Sequence, residues 1–314
     1  MKYALIALFV LVLGALIAVI DYFFRFAVLR KKEPKKTQKS MSESKGLMSL
    51  VPFKEQMRLG EEWLNAQDYE EVSIISHDGL KLYGRFMNNG AKRTLILFHG
   101  YRSRAFRDFS CVGEYYKNLG FNLLFVDQRA HGESEGEHIT FGVKERLDCV
   151  RWAEYIDQRV GGEIILDGLS MGSTTVLMAA GEQLPASVKG IIADCGFTSP
   201  KEIMLKVMES DLKIRCRPLF YLVALMVKLR AGFDVDEYST IEAMKKNRLP
   251  ILFLHGTEDK FVPCGMTKAA YEACASEKTL VLVEDAGHGV SYLKDPAACK
   301  AALLDFLKKH TREG

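Results

Sequence analysis

Residues 163–182 read EIILDGLSMGSTTVLMAAGE, and the centre of that run, Gly168-Leu-Ser-Met-Gly172, decides the fold. An apolar strand, Glu163–Leu166, leads into it, and a helical segment, Met171–Glu182, leads out. A serine on so sharp a turn sits on strained backbone, so its neighbours must be small enough to let the chain pass. The turn lifts the Ser170 hydroxyl off the sheet and sets it at a helix N-terminus, where the dipole favours developing negative charge. The five-residue pattern alone arises by chance; the strand–turn–helix context gives it weight.

Working outward, apolar strands alternate with helical segments. Thr94–Phe98, Asn122–Val126, Val188–Ala193, Ile251–Leu254 and Thr279–Val283 are predicted strands. Phe106–Leu119, Phe141–Gln158, Cys264–Ala275 and Pro296–Lys308 are predicted helices between and after them. An amphipathic helix is predicted over Pro52–Gln67, and Val72, Ile74, Leu80 and Leu82 alternate around Asp78-Gly79, a hairpin signal. Continuous apolar strands separated by helices imply an α/β fold: a mostly parallel central sheet with helices on both faces. Sites in such sheets lie at the carboxyl ends of the strands. Residues 199–249 are too long for one crossover. Two capping boxes, Ser199-Pro-Lys-Glu202 and Ser239-x-x-Glu242, flank an apolar helix over Pro218–Leu229, so this stretch is expected to be a helical lid.

A serine hydroxyl needs a base to take its proton. Of seven histidines, only His288 lies in the loop directly after the last strand, in Ala286-Gly-His-Gly289, where flanking glycines suit a loop that presents an imidazole. The base needs an acid to hold its tautomer. Asp259 follows the strand Ile251–Leu254 and is favoured. Glu258 is the near rival, and Asp194, expected to bond backbone near the lid hinge, is the far one. An oxyanion hole needs two backbone N–H groups. Met171, after the serine, is the first; Tyr101, in the His99-Gly-Tyr101-Arg loop after Thr94–Phe98, is assigned the second. Asp127-Gln-Arg-Ala-His-Gly132 is expected to brace these loops through polar contacts.

The motifs HGYRSR, DQRAHGESEG, GLSMG, GTEDKFVP and AGHG, in that order over about residues 61–314, resemble those of the α/β-hydrolase family. Within it the chain looks most like membrane-anchored bacterial serine hydrolases related to bem-type and prolyl-oligopeptidase-like esterases. The resemblance implies ester or thioester hydrolysis through an acyl-enzyme, with no cofactor and no metal. A serine peptidase or amidase is the alternative, and the missing propeller weighs against it.

Composition sets the partners. Hydrophobic residues make up 48% of 314, enough for one large core. Net charge is +3, but between Arg25 and Lys45 eight Lys or Arg face Glu33 and Glu43. The remaining body is faintly acidic, so no nucleic-acid partner is expected. Seven scattered cysteines without CxxC spacing indicate neither a disulfide framework nor a zinc site. Tyr3–Ile20 is uncharged and long enough to cross a bilayer core, followed by the aromatics Tyr22, Phe23 and Phe24. A cleavable leader is the competing reading; the long apolar stretch and the lack of an A-x-A site before Asp21 oppose it. The expected organisation is a transmembrane anchor over residues 1–24, a basic flexible linker over 25–50 and a hydrolase domain over 51–314. The basic flank puts that domain in the cytoplasm, and an acyl substrate, small or lipid-like, is the expected partner.

Overall fold

The alternation of strands and helices closes into one eight-stranded sheet in the computed structural model, which describes residues 1–31 and 45–312. Strands β1 (Glu70–Ile75) and β2 (Lys81–Met87) form the hairpin about Asp78-Gly79. They are followed by β3 (Arg93–Phe98), β4 (Asn122–Val126), β5 (Glu163–Leu169), β6 (Val188–Asp194), β7 (Ile251–Gly256) and β8 (Lys278–Val283). The spatial order is β1-β2-β4-β3-β5-β6-β7-β8. Only β2 runs opposite to the other seven strands. The chain order reverses at β3, between β4 and β5. A parallel sheet opens a crevice beyond the strand ends at such a point, and the loops after β3 and β5 are the ones carrying Tyr101 and Ser170.

Twelve α-helices complete the described residues: α1 (Lys2–Val28), α2 (Lys54–Asn65), α3 (Ala105–Asp108), α4 (Gly113–Asn118), α5 (Glu145–Arg159) and α6 (Met171–Ala179), then α7 (Pro200–Lys206), α8 (Arg217–Ala231), α9 (Thr240–Lys246), α10 (Cys264–Ala273), α11 (Ser291–Lys294) and α12 (Pro296–His310). The two-residue period of the strands splits the core. Ile96 and Phe98 of β3 pack with Trp152 of α5, Val176 of α6 and Met244 of α9. Leu95 and Leu97 pack on the other face with Leu64 of α2, Tyr116 of α4 and Leu303 of α12. Each such fully buried side chain contributes about 1.5–3 kcal/mol.

Two departures from the predicted helices have a clear structural cause. The single helix expected over Phe106–Leu119 is broken into α3 and α4. The break lets Leu64 of α2 pack onto Gly113, where an added Cβ would lie 3.0 Å from a Leu64 methyl. The helix expected from Phe141 starts at Glu145, because Phe141 (φ 54°) and Gly142 (φ 96°) are left-handed. The Glu145 carboxylate folds back to accept from Thr140 N and Gly142 N at 2.8 and 2.9 Å. Both expected helix starts of the insertion are capped by their serines, Ser199 Oγ and Ser239 Oγ accepting from Glu202 N and Glu242 N at 3.2 Å each, but the glutamates accept from the hydroxyls of Thr198 and Ser239 instead of closing the boxes.

The N-terminal helix also departs from its expected bounds. It runs unbroken to Val28, four residues beyond the boundary at 24, and its last turns pack on α8. Ile20, Phe24 and Val28 are buried with Val223 and Val227. Residues 25–31 are therefore ordered rather than linker, because their apolar face has a partner. The last linker residues, 45–50, belong to a 3₁₀-helical stretch, Lys45–Phe53, that runs on into the expected domain, while residues 32–44 lie outside the described residues. Lys2–Val28 is the one helix among the described residues long and apolar enough to cross a membrane, a property shared by anchors and signal sequences.

Candidate active site

Strand β5 ends at Leu169, and Ser170 turns the chain with φ 56°, a left-handed conformation strained for any side chain but glycine. Close approach explains the flanking glycines. A Cβ at Gly172 would overlap the Phe98 carbonyl, and one at Gly168 would overlap that of Gly172. The turn is pinned from the next strand, where Asp194 O accepts from Ser170 N at 2.8 Å.

The loop after β8 brings His288 Nε2 to 2.9 Å from Ser170 Oγ. On the far side of the ring, Nδ1 lies 2.7 Å from Asp259 Oδ2. All three residues are buried. Asp259 Oδ1 accepts from Phe261 N and Val262 N at 2.9 Å each, which fixes the carboxylate plane. Burial pushes this carboxyl up, but the charges and hydrogen bonds of His288 and His255 outweigh it and hold the group well below the usual carboxylate range. It stays ionised wherever the imidazole titrates, as an orienting acid must.

The rivals are accounted for. Glu258 is exposed, 3.8 Å from Lys260 Nζ. Asp194 does not use its carboxylate on backbone as expected: Oδ1 accepts from Ser291 Oγ at 3.1 Å, and it is the main-chain carbonyl that holds Ser170. Sequence reasoning singled out no role for His255. It is fully buried, with Nε2 3.1 Å from Asp259 Oδ2 and 3.0 Å from Val262 O. Both neighbours are acceptors, so Nε2 carries the proton and donates to them. The only trace in the sequence is its four-residue spacing from Asp259.

Gly100 passes over the serine, where a Cβ would sit 3.3 Å from Ser170 Cβ. Asp108 anchors that passage by accepting from Gly100 N at 2.7 Å and from Ser103 Oγ. The next two N–H groups diverge in use. Arg102 N donates to His131 Nε2 at 2.9 Å. Burial holds the His131 imidazole well below its usual range, so it is neutral and able to accept. Tyr101 N and Met171 N make no hydrogen bond to another described residue. Gln128 Nε2 donates to His99 O at 2.5 Å, and Arg129 is held between Asp148 and Asp78, so the DQRAHG segment braces the loops.

Ser170, His288, Gly100 and Tyr101 line one cleft of about 1580 Å³, bounded on its apolar side by α8 and the end of α1. The arrangement can move a proton from Ser170 Oγ to His288 and hold the resulting positive charge against Asp259. Cys195, Asp259 and His288 also present ligand atoms within 4.8 Å of one another. A cation there would have to break the 2.7 Å bond between Asp259 and His288 and ionise a Cys195 thiol that burial raises well above its usual range. His77, Asp78 and Asp148 converge likewise, but Arg129 occupies both carboxylates.

Residues 95–302 match the family model described as "Alpha/beta hydrolase family". The Bacillus subtilis (strain 168) protein YqkD is 28% identical over 216 residues, covering 68% of this chain and 70% of its own length. Protein bem46 of Schizosaccharomyces pombe is 23% identical over 219 residues, 67% of each. Among solved structures, the Pyrococcus furiosus esterase Pf2001 superposes with a TM-score of 0.66 at 24% identity, over 79% of this chain and 93% of that one, a likeness of fold.

Proposed function

The chain belongs to the alpha/beta hydrolase family, and on that premise we propose that it is a serine hydrolase that cleaves carboxylic ester or thioester bonds of an acyl substrate. The observation that carries this reading is the unbroken line from Ser170 Oγ through His288 to Asp259, at 2.9 and 2.7 Å. His288 takes the Ser170 proton as Oγ attacks the acyl carbonyl. The N–H groups of Tyr101 and Met171 donate to the oxyanion and stabilise the negative charge as it develops. The tetrahedral intermediate collapses, His288 protonates the leaving oxygen or sulfur, and the acyl group stays on Ser170. Water then enters, gives a proton to His288, and repeats the sequence to release the acid and restore the hydroxyl.

The domain reading goes with it. Helix α1 is a retained anchor, residues 51–314 are the hydrolase, and 199–249 are its lid. Burial of Ile20, Phe24 and Val28 against α8 supports retention, since a removed leader would leave that face of α8 bare. The basic run after α1 supports a cytoplasmic domain. The apolar lid and the anchor together favour a substrate with an apolar acyl chain.

The test is fluorophosphonate labelling of the full chain in detergent, followed by p-nitrophenyl esters of graded length. Labelling at Ser170 with ester turnover is expected. Peptide-amide turnover with negligible ester turnover would overturn the substrate reading. Release of the intact chain by carbonate would overturn the anchor, and protease shaving of the domain from intact cells the orientation.

A further inference from the structure

The loop that carries the Tyr101 N–H is bonded to the N-terminal helix. Tyr101 Oη lies 2.7 Å from Ala27 O and 3.3 Å from Phe26 O, and Arg102 Nη2 donates to Leu29 O at 2.9 Å. A helix end leaves its last four carbonyls without partners inside the helix. Here Tyr101 donates to two of them, Phe26 O and Ala27 O, and Arg102 to the Leu29 carbonyl just beyond. Burial pushes the Tyr101 phenol up to about 12, so it remains a donor. The strap continues on both sides: Val28 O accepts from Ile139 N at 2.8 Å, and the Arg30 guanidinium donates to Ser134 O at 2.6 Å and to Gly132 O.

The same turns form a wall. Phe23, Phe26 and Ala27 line the cleft that holds Ser170 and His288, together with Leu219, Phe220 and Val223 of the adjoining α8. The wall is held in place by burial of Phe24 and Val28, by the Asp21–Arg230 ion pair, and by the Arg230 guanidinium 4.6 Å from the Phe24 ring. A helix acting only as a tether would need none of these contacts.

We propose that the last turns of α1, Asp21–Leu29, are a working part of the active site: their carbonyls position the oxyanion loop through Tyr101 and Arg102, and their side chains bound the acyl pocket and set the chain length it accepts. The proposal rests on the acyl-hydrolase reading above. It makes the side chain of Tyr101 a positioning group, distinct from its backbone N–H, and Ala27 a specificity determinant contributed by the anchor.

The test uses the full chain in detergent micelles with p-nitrophenyl acetate and octanoate. Tyr101→Phe keeps the ring, which stacks on Phe141 at 5.4 Å, and keeps the N–H, but removes the bond to α1. Its kcat on acetate is expected to fall about tenfold with KM within about twofold, a fraction of the loss from deleting an oxyanion donor outright. Ala27→Phe places a ring in the cleft, and the octanoate-to-acetate ratio of kcat/KM is expected to fall at least about tenfold, within the range set by small changes in pocket size. If that chain does not fold, Phe23→Ala reads the same wall, with the ratio moving about fivefold through lost apolar contact. A wild-type kcat in Tyr101→Phe overturns the positioning role. A wild-type ratio in the folded wall variant overturns the pocket role. A wild-type chain that hydrolyses neither ester fails the acyl-hydrolase reading itself, whereas variants that match an active wild type fail the α1 role alone.

Discussion

Asp259→Asn replaces one oxygen with an NH₂ group and nothing else, yet the surroundings decide which way the amide points. With its oxygen toward Phe261 N and Val262 N, both 2.9 Å donors stay satisfied, and the NH₂ faces His288 Nδ1 and the N–H of His255. One donor then meets a donor. In the opposite orientation the NH₂ faces two backbone N–H groups, and two donors meet donors. The difference is one unmatched buried donor, about 1–3 kcal/mol, so the first orientation is favoured about 5- to 150-fold. In it His288 Nδ1 must accept, its proton moves to Nε2, and the nitrogen 2.9 Å from Ser170 Oγ can no longer take a proton. A base held in the wrong tautomer costs on the order of 10⁴ in kcat. The assay is p-nitrophenyl ester turnover by the purified full chain, with melting temperature as the control for folding. A folded Asp259→Asn chain within tenfold of wild-type kcat would refute the assignment of Asp259 and the tautomer argument together.

Three further outcomes follow from the geometry. Ser170→Ala should lower kcat by about 10⁴ or more and abolish fluorophosphonate labelling; labelling that persists at another residue would remove Ser170 as nucleophile. Gly172→Ala should unfold the chain or prevent its accumulation, since the new methyl overlaps the Phe98 carbonyl on the neighbouring strand, and a soluble variant with an unchanged melting temperature would contradict that packing. Asp167 lies buried in β5, where burial pushes its carboxyl up to about 7 against the hydrogen bond from Tyr116 and with help from Asp194. The folded state holds this proton more tightly than the unfolded chain, so this group's contribution to stability is greatest below about pH 4, falls as pH rises to about 7, and is flat beyond, by about 4 kcal/mol in all. Asp167→Asn should therefore raise the melting temperature at pH 8 and leave it little changed at pH 4; a gain of equal size at both would show that ionisation is not the cause.

What the sequence made legible was local. The turn at Gly168–Gly172 needs glycines because two backbones nearly touch, and that demand is written in adjacent letters. The hairpin at Asp78-Gly79 and the caps at Ser199 and Ser239 are short-range as well. Ser170, His288 and Asp259 could be singled out because each follows an apolar strand, and the structure brings those three loops to one rim. What stayed hidden depends on how the chain folds back on itself rather than on residue type. Nothing near Phe141 announces a left-handed residue, since the conformation is imposed by Glu145 folding back on its own N-terminus. Arg25 and Arg30 belong to a charged run whose composition suggests a solvated tether, and only the position of α8 and of residues 132–139 makes this stretch ordered. His255 is invisible for the same reason: its function lies in two acceptors that the loop from Asp259 to Val262 folds over it.

Asp194 touches both moving parts of the chemistry without taking part in it. Its carbonyl receives the amide of Ser170, and its carboxylate receives the hydroxyl of Ser291, three residues past the imidazole. Nucleophile and base thus share a single footing at the tip of β6. A shift of that tip would carry Ser170 and the His288 loop in the same direction and change the gap between them less than if each hung from a separate strand.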